Sequence, residues 1–98
     1  MAPIALGAEV VAAEGQLSTT LAGEVVILSL ADNTYYGLER VGVRIWEMIQ
    51  TPCRVDVIVD RVVADYDVSR ERAAADVVAL LGDMHKRGLV AVSREQDR

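Results

Sequence analysis

The stretch NTYYGLERVGVRIWEMI, residues 33–49, changes its apolar period in the middle, and this change decides the fold. Residues 34–38 are rich in β-branched and aromatic side chains, which favours a short strand. From Val41 onward, apolar residues recur at three- and four-residue spacing, which favours a helix. We therefore expect a strand that leads directly into a helix, with the adjacent Tyr35 and Tyr36 near the junction.

The residues before this stretch have the pattern of further strands. Residues 24–30 contain a continuous aliphatic run and are the strongest strand prediction, while 16–21 alternate apolar and polar side chains. Tight turns at 22–23 and 31–33 join these segments to the strand at the junction. The sequence therefore predicts a three-stranded antiparallel meander, and residues 9–13 have the composition of one more short strand.

The second half of the sequence predicts three helices. The first ends before Pro52, which cannot continue a helical hydrogen-bond ladder. The second, 55–66, has apolar residues at helical spacing, but its many valines leave a strand as the alternative. The third, 70–87, lies between a plausible N-cap at Ser69 and the expected stop at Gly88.

These elements predict an α+β fold that is winged helix-turn-helix-like, with a three-stranded antiparallel sheet followed by three helices (β-β-β-α-α-α). A chain of 98 residues suits a single domain. We expect its core within 16–92 and flexible segments at 1–8 and 94–98. Residues 89–93 form either a short final strand or a docking tail.

Composition argues against several classes of partner. The net charge is −5 and no basic run exceeds the pair at 86–87, so a nucleic-acid partner is not expected. No stretch approaches the roughly 20 apolar residues of a membrane span, and no signal peptide precedes the first strand. The single cysteine fits a reducing compartment, so we expect a cytoplasmic protein without a membrane partner.

Residues suited to catalysis are few. The one histidine, His85, has no nucleophile motif to complete a triad. Cys53 precedes a predicted helix, where a reactive thiol is one interpretation and a packing residue the favoured one. A group of acidic residues lacks the spacing of a calcium loop and is better explained as a solvated helix face: Asp56, Asp60, Asp65 and Asp67. We expect no enzyme, no metal and no cofactor.

The strand at 34–38 borders the predicted meander, so its outer backbone groups are open to a further strand. A peptide that adds there would gain affinity from the backbone ladder and specificity from side-chain pockets. Neighbouring residues in a strand point to opposite faces, so only one of Tyr35 and Tyr36 can face the core.

The run from Gly23 to Ile49 resembles the PqqD-like family, the recognition elements of ribosomally made, post-translationally modified peptides (RiPPs). The resemblance covers 24–92 and is carried by an ordered set of residues: Tyr35, Tyr36, Gly37, Leu38, Val41, Gly42, Ile45, Trp46 and Ile49, then Gly88, Leu89 and Val90. Two positions depart from the family pattern: Glu39 replaces the usual asparagine cap, and Val43 replaces an alanine.

The resemblance implies a non-catalytic module that binds the leader segment of a precursor peptide between its third strand and its third helix. The implied peptide-binding residues are Asn33, Thr34, Tyr35, Tyr36, Gly37 and Leu38 on the strand, and Val77, Leu80, Leu81 and Met84 on the helix.

The likeness is greatest to the stand-alone leader-binding protein of lasso peptide biosynthesis, whose partners are a cysteine leader peptidase and a macrolactam cyclase. The alternative is a PqqD-type peptide chaperone for a radical SAM enzyme in pyrroloquinoline quinone or other RiPP biosynthesis. A DNA-binding winged helix that reads with residues 70–87 is a weaker alternative, because the chain is acidic.

Overall fold

The structure, a computed structural model, describes residues 4–30 and 33–94. Its elements follow one another in the order β1 (Glu9–Ala12), β2 (Gln16–Leu21), β3 (Glu24–Ser29), β4 (Thr34–Glu39), α1 (Val41–Met48), β5 (Cys53–Arg54), α2 (Val55–Asp65), α3 (Arg70–Lys86) and β6 (Val90–Arg94).

The predicted meander is confirmed as an antiparallel sheet in the order β2-β3-β4. Leu21 lies opposite Glu24, so β2 and β3 are joined by a two-residue turn. Both turn residues have left-handed backbone, with φ of 53° at Ala22 and 83° at Gly23. Positive φ at both positions is the type I′ conformation, whose twist matches that of the two strands.

A second sheet, in the order β5-β1-β6, was not part of the predicted three-strand, three-helix order. The segments at 9–13 and 89–93 do form strands, and these two strands pair with each other although they lie near opposite ends of the sequence. β5 was missed because it has only two residues, and its antiparallel pairing with β1 alone makes it a strand. The α+β assignment and the three helices are otherwise confirmed.

The segment at 1–8, expected to be flexible, contacts the core where the structure describes it. Ile4 and Ala8 are buried in the core, and the Ala8 carbonyl accepts a hydrogen bond of 2.9 Å from Val55 N–H at the start of α2. The predicted core limit of 16–92 is therefore too narrow at its beginning. Local sequence does not reveal these contacts because both partners of the bond are distant in the chain. Residue 94 ends β6, and 1–3 and 95–98 lie outside the described residues.

The helices pack against the inner face of β3 and β4, where Val25, Ile27 and Leu38 belong to the same core as the helix residues. α2 is a helix and not the alternative strand, because Val55, Ile58, Val59 and Val62 all turn toward the core. At the start of α3, the Ser69 hydroxyl accepts a hydrogen bond of 3.2 Å from Arg72 N–H, as predicted for an N-cap. Among the described residues, no helix is long and apolar enough to cross a bilayer.

Candidate functional site

Among the described strands, β4 pairs only with β3, so its other edge is open, and the register of the sheet shows which of its residues face that edge. Strand residues in an antiparallel sheet alternate between bonding to one neighbour and to the other. Leu21 and Glu24 flank the two-residue turn and form a hydrogen-bonded pair, so every second pair from there should also be hydrogen-bonded. Leu30 N–H donates to the Gly15 carbonyl at 3.2 Å, as this alternation requires. Even-numbered residues of β3 therefore bond to β2, and odd-numbered residues bond to β4.

This alternation assigns the backbone groups of β4. Leu38, Tyr36 and Thr34 lie opposite odd-numbered residues of β3, so their N–H and C=O groups are used inside the sheet. The N–H and C=O groups of Tyr35, Gly37 and Glu39 consequently point away from β3, toward the open side of β4. A six-residue strand thus offers a regular row of backbone donors and acceptors at its edge.

A groove of about 740 Å³ lies beside this edge, between β4 and α3. Its walls also include the beginning of α1, the end of α2 and the loop after α2. The lining is mostly apolar: Tyr36, Gly37, Leu38, Glu39, Arg40, Val41, Gly42, Ile45, Val62, Tyr66, Val68, Ala73, Asp76, Val77 and Leu80. An extended chain placed along β4 would therefore meet backbone groups on one side and apolar side chains on another.

The groove ends at a polar cluster that joins β4 to α3. The Tyr36 hydroxyl donates a hydrogen bond of 2.8 Å to Asp83, and the Arg87 guanidinium carbon lies 5.2 Å from the centre of the Tyr36 ring. Arg87 Nε also donates to Asp83 at 3.3 Å. Burial and the bond to Asp83 raise the pKa of Tyr36 to about 12, and the same bond lowers the pKa of Asp83. The tyrosine is thus a neutral donor at physiological pH.

Comparison with known proteins decides the family. The family described as "Coenzyme PQQ synthesis protein D (PqqD)" matches residues 24–90, which is most of the chain. The chain belongs to the PqqD family. None of the curated proteins compared with this sequence matches it.

One solved structure resembles this PqqD-family chain closely. It is described as TbiB1 in complex with the TbiA(beta) leader peptide, and it is 32% identical in sequence with a TM-score of 0.77. The match covers 82% of this chain and 93% of the TbiB1 chain. The likeness therefore extends over nearly the whole of a protein that binds a leader peptide.

The structure of this PqqD-family chain divides the residues expected on the strand side. Tyr36, Gly37 and Leu38 line the groove, whereas Tyr35 is 73% exposed on the opposite face of the sheet. This confirms that only one of the two tyrosines faces the core. Asn33 and Thr34 lie before the groove, and Asn33 has left-handed backbone at the turn.

The residues expected on α3 also separate into two sets. Leu80 is half-buried and lines the groove, and Val77 lies beneath it as part of both the groove and the core. Leu81 and Met84 are fully buried and do not line the groove. Leu81 lies farther around α3 than the groove residues, and Met84 lies one helical turn beyond Leu80, a distinction that the wide apolar stripe concealed.

Sequence reasoning missed the part of the groove that α1, α2 and the following loop supply, including Gly42, Ile45 and Tyr66. It also missed Ala73 and Asp76. A signal for these two was present, because 73, 76, 77 and 80 form one stripe at helical spacing. No comparable signal exists for the contributions of α1 and α2, which depend on the packing of separate elements.

The cysteine, the histidine and the acidic residues that could support catalysis or metal binding lie apart from the groove. Burial, together with the charges of Asp56 and Glu9, raises the pKa of the Cys53 thiol, which is the opposite of nucleophile activation. His85 Nδ1 lies 3.1 Å from the Val90 carbonyl, a contact within the fold. Three of the acids pair with arginines: Asp56 with Arg54, Asp60 with Arg70 and Asp65 with Arg44. Within 4–30 and 33–94, no group of acids, histidine and cysteine is arranged to hold a metal ion.

Proposed function

We propose that this PqqD-family protein binds the leader segment of a ribosomally made precursor peptide by β-strand addition to β4. The observation that carries the proposal is the open backbone row of Tyr35, Gly37 and Glu39 directly beside an apolar groove. The structural likeness to TbiB1 in complex with the TbiA(beta) leader peptide supports the same conclusion.

The energetics of this arrangement suit a peptide carrier. Each backbone hydrogen bond contributes about 0.5–1.5 kcal/mol net, so the outward groups of β4 supply a sequence-independent part of the affinity. Apolar side chains of the peptide that enter the groove between Leu38 and Leu80 would supply the selective part. Tyr36, Gly37, Leu38, Val77 and Leu80 are the predicted peptide-binding residues that line the groove, and Tyr35 is retained for its backbone groups at the open edge. Leu81 and Met84 support them from beneath.

In this proposal the protein is a non-catalytic cytoplasmic carrier in lasso peptide maturation. It delivers the precursor to a cysteine leader peptidase and a macrolactam cyclase. The raised pKa of Cys53 and the distance of His85 from the groove support a binding role. The description of the matching family favours a second candidate function, in which the same groove presents a peptide to a radical SAM enzyme in pyrroloquinoline quinone biosynthesis.

The test is a pair of proline variants. Gly37→Pro removes an N–H that points to the open side of β4, and Ser18→Pro removes one that points to the open side of β2. The ligand is a synthetic leader of the precursor encoded beside this protein, titrated by calorimetry. We expect Gly37→Pro to weaken binding by at least about tenfold and Ser18→Pro to leave it unchanged. Equal affinities for both folded variants and the wild type would refute strand addition at β4.

A further inference from the structure

The sheet has a second open edge, at β2, and this edge has none of the usual protection against pairing. β2 pairs only with β3 among the described strands. Its sequence, QLSTTL, contains no charge, no proline and no glycine, although natural edge strands commonly carry such residues to prevent association. Five of its six residues are exposed, so β2 projects from the body of the protein.

The groups along this edge are arranged for pairing. By the alternation established above, the N–H and C=O groups of Ser18 and Thr20 point away from β3. Leu17 and Leu21 are 60% and 63% exposed, and both lie on the outer face of the sheet, the face opposite the helices. Thr19 stands between them on the same face.

We propose that β2 is a self-association edge that pairs antiparallel with β2 of a second copy of this chain. The register that places Thr19 opposite Thr19 of the other copy satisfies every outward backbone group of the central residues. Ser18 of each copy then exchanges two hydrogen bonds with Thr20 of the other. In the same register Leu17 lies directly opposite Leu21, so both exposed leucines of each copy gain an apolar partner.

The choice of a second copy as occupant rests on this self-complementarity. An isologous interface requires one surface to fit itself about a twofold axis, and QLSTTL does so with leucines equally spaced on either side of the central threonine. A shift of the register by one residue on each strand would place each Leu17 opposite a threonine and leave Leu21 uncovered. The symmetric arrangement therefore buries more apolar surface.

The association is expected to be weak. One pair of six-residue strands buries much less than the roughly 800 Å² per partner of a standard stable interface. Each copy carries a net charge of −5, so long-range repulsion opposes pairing and added salt weakens that repulsion. The result is a dimer whose population depends on protein concentration and rises with ionic strength.

The self-association edge is separate from the proposed peptide edge. β3 lies between β2 and β4, so the paired sheet would have the order β4-β3-β2-β2-β3-β4 with a free β4 at either end. A dimer would therefore carry two peptides that do not compete with the dimer contact. This inference stands on its own and does not depend on peptide binding at β4.

Sedimentation velocity of the full chain, from about 10 μM to about 1 mM, tests the inference. Thr19→Lys places two ammonium groups opposite each other on the twofold axis, and like charges in a cross-strand pair repel. Tyr35→Lys is the matched control, because it adds the same side chain to the same face of the sheet at β4. Circular dichroism verifies that both variants are folded.

We expect the wild type and Tyr35→Lys to dimerise with the same concentration dependence. Thr19→Lys should raise the dimer dissociation constant by at least about tenfold. A wild type that stays monomeric across the range, or a dimer that Thr19→Lys leaves intact, overturns the inference. A dimer that dissociates on addition of leader peptide also overturns it, because the peptide would then occupy β2. Leader binding by Thr19→Lys is expected to equal that of the wild type, so the two proposals fail separately.

Discussion

The hydroxyl of Tyr36 on β4 donates a 2.8 Å hydrogen bond to Asp83 on α3 and so joins the two walls of the groove at one end. Arg87, one helical turn beyond Asp83, lies over the tyrosine ring at 5.2 Å. The groove extends from this cluster toward the beginning of α1. Along α3 it does not continue beyond the cluster of Tyr36, Asp83 and Arg87. The cluster therefore sets the spacing between the open strand and the helix that faces it.

Removal of the Tyr36 hydroxyl should weaken peptide binding more than it changes the fold. Tyr36→Phe keeps the ring and loses a hydrogen bond to a charged acceptor, which typically contributes about 1.5–3 kcal/mol when buried and less at this partly exposed site. We expect the leader dissociation constant to rise by about threefold to tenfold. Tyr66→Phe is the control, because Tyr66 also lines the groove and its hydroxyl makes no hydrogen bond to the described residues. Equal effects of the two variants in a calorimetric titration would contradict the role of the cluster.

The same bond makes stability depend on pH on the acid side. The hydrogen bond from Tyr36 lowers the pKa of Asp83 in the folded protein, so the folded state holds this proton less tightly than the unfolded state. The stabilisation is present above the ordinary aspartate pKa of about 3.9 and is lost as the pH falls through the lowered value. The free energy of unfolding in urea should therefore differ more between wild type and Tyr36→Phe at neutral pH, above the ordinary aspartate pKa, than at about pH 2.5, below it. A difference that is the same at both pH values would be contrary to this assignment.

Two adjacent leucines of α3 should respond differently to truncation. Leu81 is fully buried, so Leu81→Ala should cost about 2–5 kcal/mol of unfolding free energy. Leu80 is half-buried on the groove, so Leu80→Ala should cost much less stability and weaken leader binding by about tenfold. Thermal unfolding and calorimetry on both variants separate these effects. Loss of stability in Leu80→Ala without loss of binding would place Leu80 in the core.

Gly42 keeps the wall of the groove in position at the start of α1. A Cβ at this position would lie 3.2 Å from Leu38 Cδ2, so Gly42→Ala should displace the Leu38 side chain, which lines the groove. The gain in helix propensity, about 1 kcal/mol, offsets part of the steric cost, so we expect little change in melting temperature but weaker leader binding. Gly82→Ala is the control, because a Cβ there meets no atom within 4 Å and Gly82 on α3 does not line the groove. Unchanged binding in Gly42→Ala would show that Leu38 does not shape the groove.

The sequence predicts those parts of the fold that neighbouring residues determine. The alternation in 16–21 and the turn at 22–23 predict β2 and its hairpin with the observed bounds, because strand and turn preferences act over a few residues. The junction at Tyr36 and Val41 was likewise predicted, since the change of period is local.

The parts that failed depend on contacts between distant segments. β5 is a strand only through its pairing with β1. Ile4 is buried because it packs into a core formed by residues that are distant in the sequence. The division of Leu80 from Leu81 on α3 depends on the angle at which the helix packs. The apolar period alone cannot resolve that angle within so wide a stripe.

Hydrogen exchange of the backbone amides, measured by NMR with and without leader peptide, tests the central claim most directly. Strand addition at β4 predicts that the amides of Tyr35, Gly37 and Glu39, which point to the open side, become protected when peptide is bound. The amides of Ser18 and Thr20 at β2 should keep the exchange rates of the peptide-free protein at the same protein concentration. Saturating peptide that leaves the three β4 amides exchanging at their free rates would contradict the account.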